Sequence, residues 1–348
     1  MRVLVLYEEL AGYFLNALNL LASSRQATVL VISKKINAVA PFDFETHPNV
    51  SVLNREMLSA EALMTTCIGF NPDAIYLGGW AYKPYLAIIR RFKKIKTVIG
   101  FDNQHNGSVR QLAGALYFKW RLKPYVYGAF VPGDRQARFA KQLGFSNNQV
   151  ATGAYCCDLN LFDTYYQRNK EKKERQFPKR FLFAGRYASE KGIQHLWQTF
   201  VKLHETVGGD WELWCIGKGD MAPVQHPAIK HLGFVQPQQL GDIIQETGVF
   251  VLPSLFEPWG VVIQEYAAAG FPIITTDAVG AADAFVINGK NGYLIRPNDI
   301  GALEKAMRQM MEANQLQLTT MAQQSNRLSK TITPESWVNN LLKLYEYP

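Results

Sequence analysis

Cysteine is scarce in this chain, with four in 348 residues. Cys67, Cys156, Cys157 and Cys215 show no C-x-x-C spacing. That excludes a zinc-ribbon or disulfide framework and leaves buried thiols in a reducing setting as the expectation. No apolar run approaches the roughly 18 residues that a membrane-spanning helix needs. The opening MRVLVLYEEL has one Arg and an apolar run, but Glu8 and Glu9 end the run early and no small-residue cleavage site follows. It reads as a first buried strand rather than a leader, and the expected location is the cytoplasm. There is no solenoid repeat, no low-complexity tail and no D-x-D pair to clamp a metal.

What is present is ordinary for a globular protein: 48% hydrophobic and 19% charged residues. The length suggests two domains. The net charge of +8 is unevenly spread. Residues 1–150 hold 18 Lys and Arg against 9 Asp and Glu, whereas residues 151–348 hold 19 against 20. The whole positive excess therefore lies in the first half, which suits an anionic partner such as a nucleic acid, a membrane surface or a phosphorylated acceptor.

Short β-rich apolar runs alternate with amphipathic helical stretches. In the first half the strands fall near Val3–Tyr7, Thr28–Ile32, Ser51–Leu53, Ala74–Leu77, Thr97–Phe101 and Ala129–Val131. Helices fall near Tyr13–Ala22, Ala60–Ile68, Tyr85–Phe92 and Arg135–Leu143. Residues 164–180, TYYQRNKEKKERQFPKR, are polar and read as a linker. A second series has strands at Phe181–Ala184, Glu212–Ile216, Val249–Leu252, Ile273–Thr275 and Tyr293–Ile295. Its helices are Ile193–Glu205, Pro237–Gln245, Val262–Ala269 and Ile300–Ala313, and Thr333-Pro334-Glu335 opens a final one with Pro at its first position. The fold class is α/β: two Rossmann-like, doubly wound domains, over residues 1–163 and 181–332, with a terminal helix in 333–348. Ligands of such folds sit at the carboxyl ends of strands.

Two segments carry chemistry. In Phe256-Glu257-Pro258-Trp259-Gly260-Val261-Val262-Ile263-Gln264-Glu265, a strand leads through a glycine into a helix. Gly260 allows close backbone approach, and the free amides of Val261 and Val262 form an anion site. A carboxylate such as Glu265 can accept bonds from two adjacent hydroxyls, as on a ribose. In Gly185-Arg186-Tyr187-Ala188-Ser189-Glu190-Lys191-Gly192, again between strand and helix, Arg186 and Lys191 supply two cations suited to a nucleotide diphosphate. Each residue alone is as readily a solvated surface charge. Gly217-Lys218-Gly219-Asp220-Met221-Ala222 fits a dinucleotide fingerprint, but Pro223 stands where the helix should run, so it is set aside.

In combination, FAGRYASEKG, IGKGD, HLGFV, VLPSLFEPWGVVIQEYAAAGFPIITT and GKNGYLIRP resemble glycosyltransferase family 4, the group 1 retaining enzymes of GT-B fold. Glu257 and Glu265 have that family's E-x7-E spacing. The resemblance implies that Arg186 and Lys191 hold the donor diphosphate, Glu265 the ribose, and backbone groups at Phe234 and Val235 the base. Glu257 would lie near the transferred sugar. Gly12, after the first strand, matches a glycine that approaches the donor phosphates. Where the family has a His at a central strand end, this chain has Gly-Phe-Asp102-Asn-Gln-His105, so Asp102 and His105 are both candidates. The final helix, with Trp337, would cross back to the first domain.

The resemblance implies metal-independent transfer from a UDP- or GDP-sugar, as a substrate and with no cofactor, to a glycan acceptor, lipid-linked, in surface polysaccharide biosynthesis. A GT-B nucleotide-sugar epimerase stays open as an alternative, as does a non-catalytic nucleic-acid-binding module, although no stacking motif or helix-turn-helix supports the latter. Peripheral contact with anionic membrane is expected through Arg90, Arg91, Lys93, Lys94, Lys96, Lys119, Arg121 and Lys123. The apolar residues among them, Phe92, Ile95, Tyr117, Phe118, Trp120 and Leu122, are the expected inserting side chains.

Overall fold

The computed structural model describes residues 1–34, 45–105 and 107–346. They form two compact units: Met1–Cys156 with Ile332–Pro348, and Cys157–Thr331. The first unit runs β1 (Arg2–Glu9), α1 (Gly12–Arg25), β2 (Thr28–Lys34), β3 (Val50–Asn54), α2 (Ala60–Phe70), β4 (Ala74–Gly78) and α3 (Lys83–Arg91). It continues with β5 (Thr97–Gly100), α4 (Val109–Arg121), β6 (Gly128–Val131), α5 (Asp134–Gln142) and β7 (Val150–Thr152). The strand order is β3-β2-β1-β4-β5-β6-β7, all parallel. Successive β1 residues feed opposite cores: Val3, Val5 and Tyr7 belong to one cluster, and Leu4 and Leu6 to the other. A parallel sheet needs such cover on both faces, which is why β1 reads as an unbroken apolar run.

The second unit runs α6 (Leu159–Arg175), β8 (Arg180–Ala184), α7 (Ile193–Val207), β9 (Glu212–Ile216), β10 (Ile229–Gly233), α8 (Gly241–Glu246) and β11 (Val249–Leu252). It ends with α9 (Val261–Ala268), β12 (Ile273–Thr276), α10 (Ala282–Phe285), β13 (Gly292–Ile295), α11 (Ile300–Glu312) and α12 (Gln315–Ser329). The sheet order is β10-β9-β8-β11-β12-β13, again parallel. Helix α7 packs with α11, while α6, α8, α9, α10 and α12 form a second packed group. The last helix, α13 (Pro334–Glu346), belongs to the first unit and packs on α1. Its Trp337 is buried between the rings of Phe14 and Phe130 and donates its indole N–H to the Ala154 carbonyl at 2.8 Å.

The expected strands stand, and two more, β7 and β10, complete the sheets. Both are edge strands with half-exposed patterns too weak to stand out as apolar runs. The run 164–180 is not a linker through most of its length, since α6 continues to Arg175. Its buried stripe is Leu159, Phe162, Tyr165, Asn169 and Lys173, so two polar members hid the helical period. The Pro237–Gln245 helix is split into a single 3-10 turn at Pro237–Gln239 and the short α8. Helices α4, α10 and α12 were not foreseen.

Helix α4 also corrects the expected membrane-inserting set. Phe118 and Leu122 are fully buried in the first unit's core, and Phe92 and Ile95 pack against it, so none of these can insert. Tyr117 and Trp120 are exposed.

Candidate donor site at the strand ends

In the second unit β8, the first strand, lies beside β11, so the chain's direction of winding reverses between them. Loops leaving adjacent strands at such a switch point diverge and open a crevice at the carboxyl end of the sheet. The β8 loop carries Arg186 and Lys191, and the β11 loop carries Glu257 and Gly260. The two loops are tied together at backbone level, since Leu255 N–H donates to the Glu190 carbonyl at 2.8 Å. Gly192, with φ of 64°, follows Lys191, and a Cβ there would stand 2.1 Å from the Pro253 carbonyl oxygen. Only glycine allows that approach, and only glycine adopts that backbone cheaply.

Lys191 forms an ion pair with Glu257, both side chains being about 16% exposed. Glu257 is itself laced into the β12 loop: its amide donates to the Ala278 carbonyl at 3.3 Å, and its carbonyl accepts from Gly280 N–H at 3.1 Å. The pair fixes a cation at the mouth of α9. Gly260, with φ of 88°, precedes that helix, and a Cβ on it would meet Glu257 Cγ at 2.9 Å. The amides of Val261 and Val262 open α9 ahead of its first internal hydrogen bonds and have no acceptor within the helix. The start of α9 thus presents its free amides beside a Lys191 cation that Glu257 holds in place, the two coming from adjacent loops.

Glu265 lies on the second turn of α9. Burial pushes its carboxyl up to about 7, and the nearby Asp158 carboxylate pushes in the same direction. A carboxylate held this far from its ordinary range, on a helix that opens at the switch point, is a candidate functional group. Arg186, by contrast, is exposed and pairs with Glu190 at 3.2 Å. Phe234 and Val235 are half-buried in the loop after β10, where the Gly233 carbonyl accepts from Gly217 N–H at 2.7 Å. The structure therefore joins Lys191, Glu257 and Gly260 directly, and places Arg186, Glu265, Phe234 and Val235 on neighbouring elements of the same unit.

The set-aside fingerprint has a structural purpose. A Cβ on Gly217 would lie 1.9 Å from the Gly185 carbonyl oxygen, and one on Gly219 would lie 2.3 Å from that of Tyr187. These glycines let the β9 loop lie against the β8 loop, and no helix follows them before β10.

Gly12, Asp102 and His105 belong to the first unit. Gly12 is the first residue of α1 rather than part of the preceding loop. Asp102 is half-buried and His105 exposed, both just beyond β5. Asp102 has company that went unforeseen, a cluster of Tyr7, Tyr13, Tyr76 and Tyr155. Burial raises all four hydroxyls, Tyr7 to about 12, and the Asp102 carboxylate adds to the shift of each. Tyr13 and Tyr155 partly offset the rise at Tyr7, and the Tyr76 hydroxyl is buried without a hydrogen-bond partner. The only signal in the sequence was a Tyr at or near the end of two adjacent strands, β1 and β4. All four cysteines are buried thiols outside any disulfide.

A doubly wound parallel α/β unit whose switch-point loops carry Lys191, Glu257 and the start of α9 has the architecture at which such folds bind ligands. Residues 178–313 match the family model described as glycosyl transferases group 1. Over 150 residues the chain is 29% identical to glycogen synthase from Mycobacterium tuberculosis, covering 40% of this chain and 36% of that enzyme. The alignment thus spans about a third of the relative's length. At the level of structure, sucrose-phosphate synthase from Thermosynechococcus elongatus superposes with a TM-score of 0.75 at 17% identity, covering 99% of this chain and 98% of the other. The Anabaena protein HepE, in complex with UDP and glucose, superposes with a TM-score of 0.73 at 15% identity and the same coverage. These likenesses show the GT-B fold, and residues 178–313, in the second unit, resemble the group 1 glycosyl transferases.

Proposed function

We propose that the protein is a retaining, metal-independent transferase that moves a sugar from a UDP- or GDP-sugar to a glycan acceptor, lipid-linked, in surface polysaccharide assembly. The observation that carries this reading is the Lys191–Glu257 pair at the mouth of α9. In the reaction the bond from the anomeric carbon to the β-phosphate oxygen breaks, and a bond from that carbon to the acceptor oxygen forms. The acceptor's proton passes to the departing diphosphate, which balances the charge. Lys191, the α9 amides and Arg186 meet the negative charge that grows on the leaving group. Because Glu257 already fixes Lys191, that stabilisation needs little reorganisation at the moment of reaction. Glu265 takes the ribose hydroxyls, and backbone at Phe234 and Val235 the base. Gly12, Asp102 and His105 enter by family resemblance, and Asp102→Asn and His105→Ala are the variants that test them.

The family's habit and the positive excess of residues 1–150 support a lipid-linked glycan over a free one. A panel of UDP-, GDP- and ADP-sugars, assayed for slow donor hydrolysis with and without EDTA, tests the reading. One nucleotide class should be turned over, and EDTA should leave the rate unchanged. Lys191→Ala should lower that turnover about 100-fold or more, the scale of losing one preorganised donor, while binding of the free nucleoside changes little. Equal losses for nucleoside and nucleotide-sugar, or a metal-reversible loss, would contradict the mechanism. Interconversion of donor sugars without transfer would favour the epimerase.

A further inference from the structure

Helix α4 exposes an apolar stripe that nothing in the donor chemistry uses. Val109, Leu112, Leu116 and Trp120 are 82, 50, 59 and 75% exposed, and their spacing of three and four residues sets them in one line. Tyr117, also exposed, widens the line at its centre. Phe118, on the opposite face, is buried and holds the helix to the unit. At 100° per residue, Arg110 and Arg121 fall on one flank of the stripe and Lys119 on the other. A Ser108 side chain caps the helix, accepting from Gln111 N–H at 3.2 Å, so the stripe is carried by a well-formed element.

The sequence flanking this helix carries charge almost wholly of one sign. From residue 74 to residue 133 the chain holds ten Lys and Arg side chains and a single carboxylate, Asp102. Beyond α4 the chain turns through Lys123, which lines a cavity of about 330 Å³ with Lys93, Lys94, Lys96, Tyr125 and Tyr127, and no carboxylate lines it. Lys123 Nζ reaches the Val126 carbonyl at 3.4 Å, so its charge is oriented without being neutralised. An apolar line flanked by cations, with Trp at one end, has the form of a helix lying in a bilayer interface.

We propose that α4 docks in the plane of an anionic lipid bilayer, with Val109, Leu112, Leu116 and Trp120 among the acyl chains and Arg110, Lys119 and Arg121 at the headgroups. A second copy of the chain is the poorer occupant. A symmetric contact through this face would set the flanking cations Arg110, Lys119 and Arg121 of one copy against those of the other, with no carboxylate on the helix to offset them. The proposal stands apart from the donor reading, because none of these side chains belongs to the donor site.

The test is co-sedimentation of the full chain with vesicles of phosphatidylcholine alone and with added phosphatidylglycerol. Binding should appear only on the acidic vesicles and fade as salt rises from about 0.05 to about 0.5 M. Lys119→Gln with Arg121→Gln should weaken it roughly thirtyfold at low salt. Leu112→Gln, Leu116→Gln and Trp120→Gln together should abolish it. Both variants should keep the wild-type unfolding temperature and donor hydrolysis, since the altered side chains are exposed. Equal binding to both vesicle types, binding to neither, or a wild-type dimer that the stripe variant splits on light scattering would each overturn the proposal. Loss of vesicle binding with donor hydrolysis intact separates this surface from the catalytic reading.

Discussion

Glu265 stands on α9 with its carboxyl protonated up to about pH 7 because burial and Asp158 both oppose its charge. The sign of the linkage follows. The folded state holds this proton more tightly than the unfolded chain, whose carboxyl titrates near its ordinary value. Stability contributed by the neutral form is full below the unfolded pKa and is lost as pH rises toward about 7. Above that pH the buried charge costs on the order of 1–3 kcal/mol. Glu265→Gln keeps the shape and removes the charge, so at pH 8 the variant should unfold at a higher temperature than the wild type, with the difference vanishing near pH 4. Donor affinity by calorimetry should move the other way, falling by about 1.5–3 kcal/mol as charge-assisted bonds to the ribose are lost. Wild-type affinity should also rise with pH through this window, as the carboxylate forms. A variant that binds donor as well as the wild type would remove Glu265 from the site. The E-x7-E spacing made this residue legible in the sequence. Its partner Asp158 was not, because it caps α6 more than a hundred residues earlier and only the folded unit brings the two within electrostatic reach.

Among the helices, α6 shows why composition misleads. Its sequence is charged, yet Asp158 caps it by accepting from Leu161 N–H at 3.1 Å, and Phe162 and Tyr165 anchor it against α8 and α9. The concealed member is Lys173, which is 5% exposed, with Nζ 4.0 Å from the Phe271 ring centre and no hydrogen-bond partner. Burial lowers its ammonium to about 7. The unfolded chain keeps this proton to a much higher pH, so the penalty is full below about pH 7 and fades as pH rises toward the ordinary lysine value. Lys173→Met, which keeps the length and the contact with Phe271, should therefore stabilise the fold by a few kcal/mol at pH 6 and by little at pH 10. Chemical denaturation at the two values checks this, and equal gains at both would mean that Lys173 is charged and solvated. Helix α4 was missed for the converse reason. Most of its apolar residues face outward, so its sequence carries only a thin buried stripe at helical spacing, with Trp120 and its neighbouring cations on the exposed side.

For the whole molecule, the charge asymmetry and the alternation of strands and helices made two α/β domains legible. The discontinuity of the first unit was legible in two ways: the Thr-Pro-Glu helix start at residues 333–335, and the family resemblance, which implies that this helix returns to the first domain. Removing residues 332–348 would strip Trp337 and Leu341, both fully buried, from the core built on Phe14 and Phe130. Each such side chain is worth about 3–5 kcal/mol, so together they rival a domain's usual margin of about 5–15 kcal/mol. Limited proteolysis of that truncation should digest residues 1–156 and spare a fragment near 157–331. An intact first unit would show that α13 is dispensable. The same arrangement sets an order on the ribosome. Once β7 has been made, the first unit has its complete sheet but still lacks α13, while the second unit is synthesised whole in between. At about 5–20 residues per second, that wait lasts roughly ten to forty seconds. Through that interval the groove around Phe14 and Phe130 stays open on the nascent chain, so it is there that a chaperone would find this protein most often.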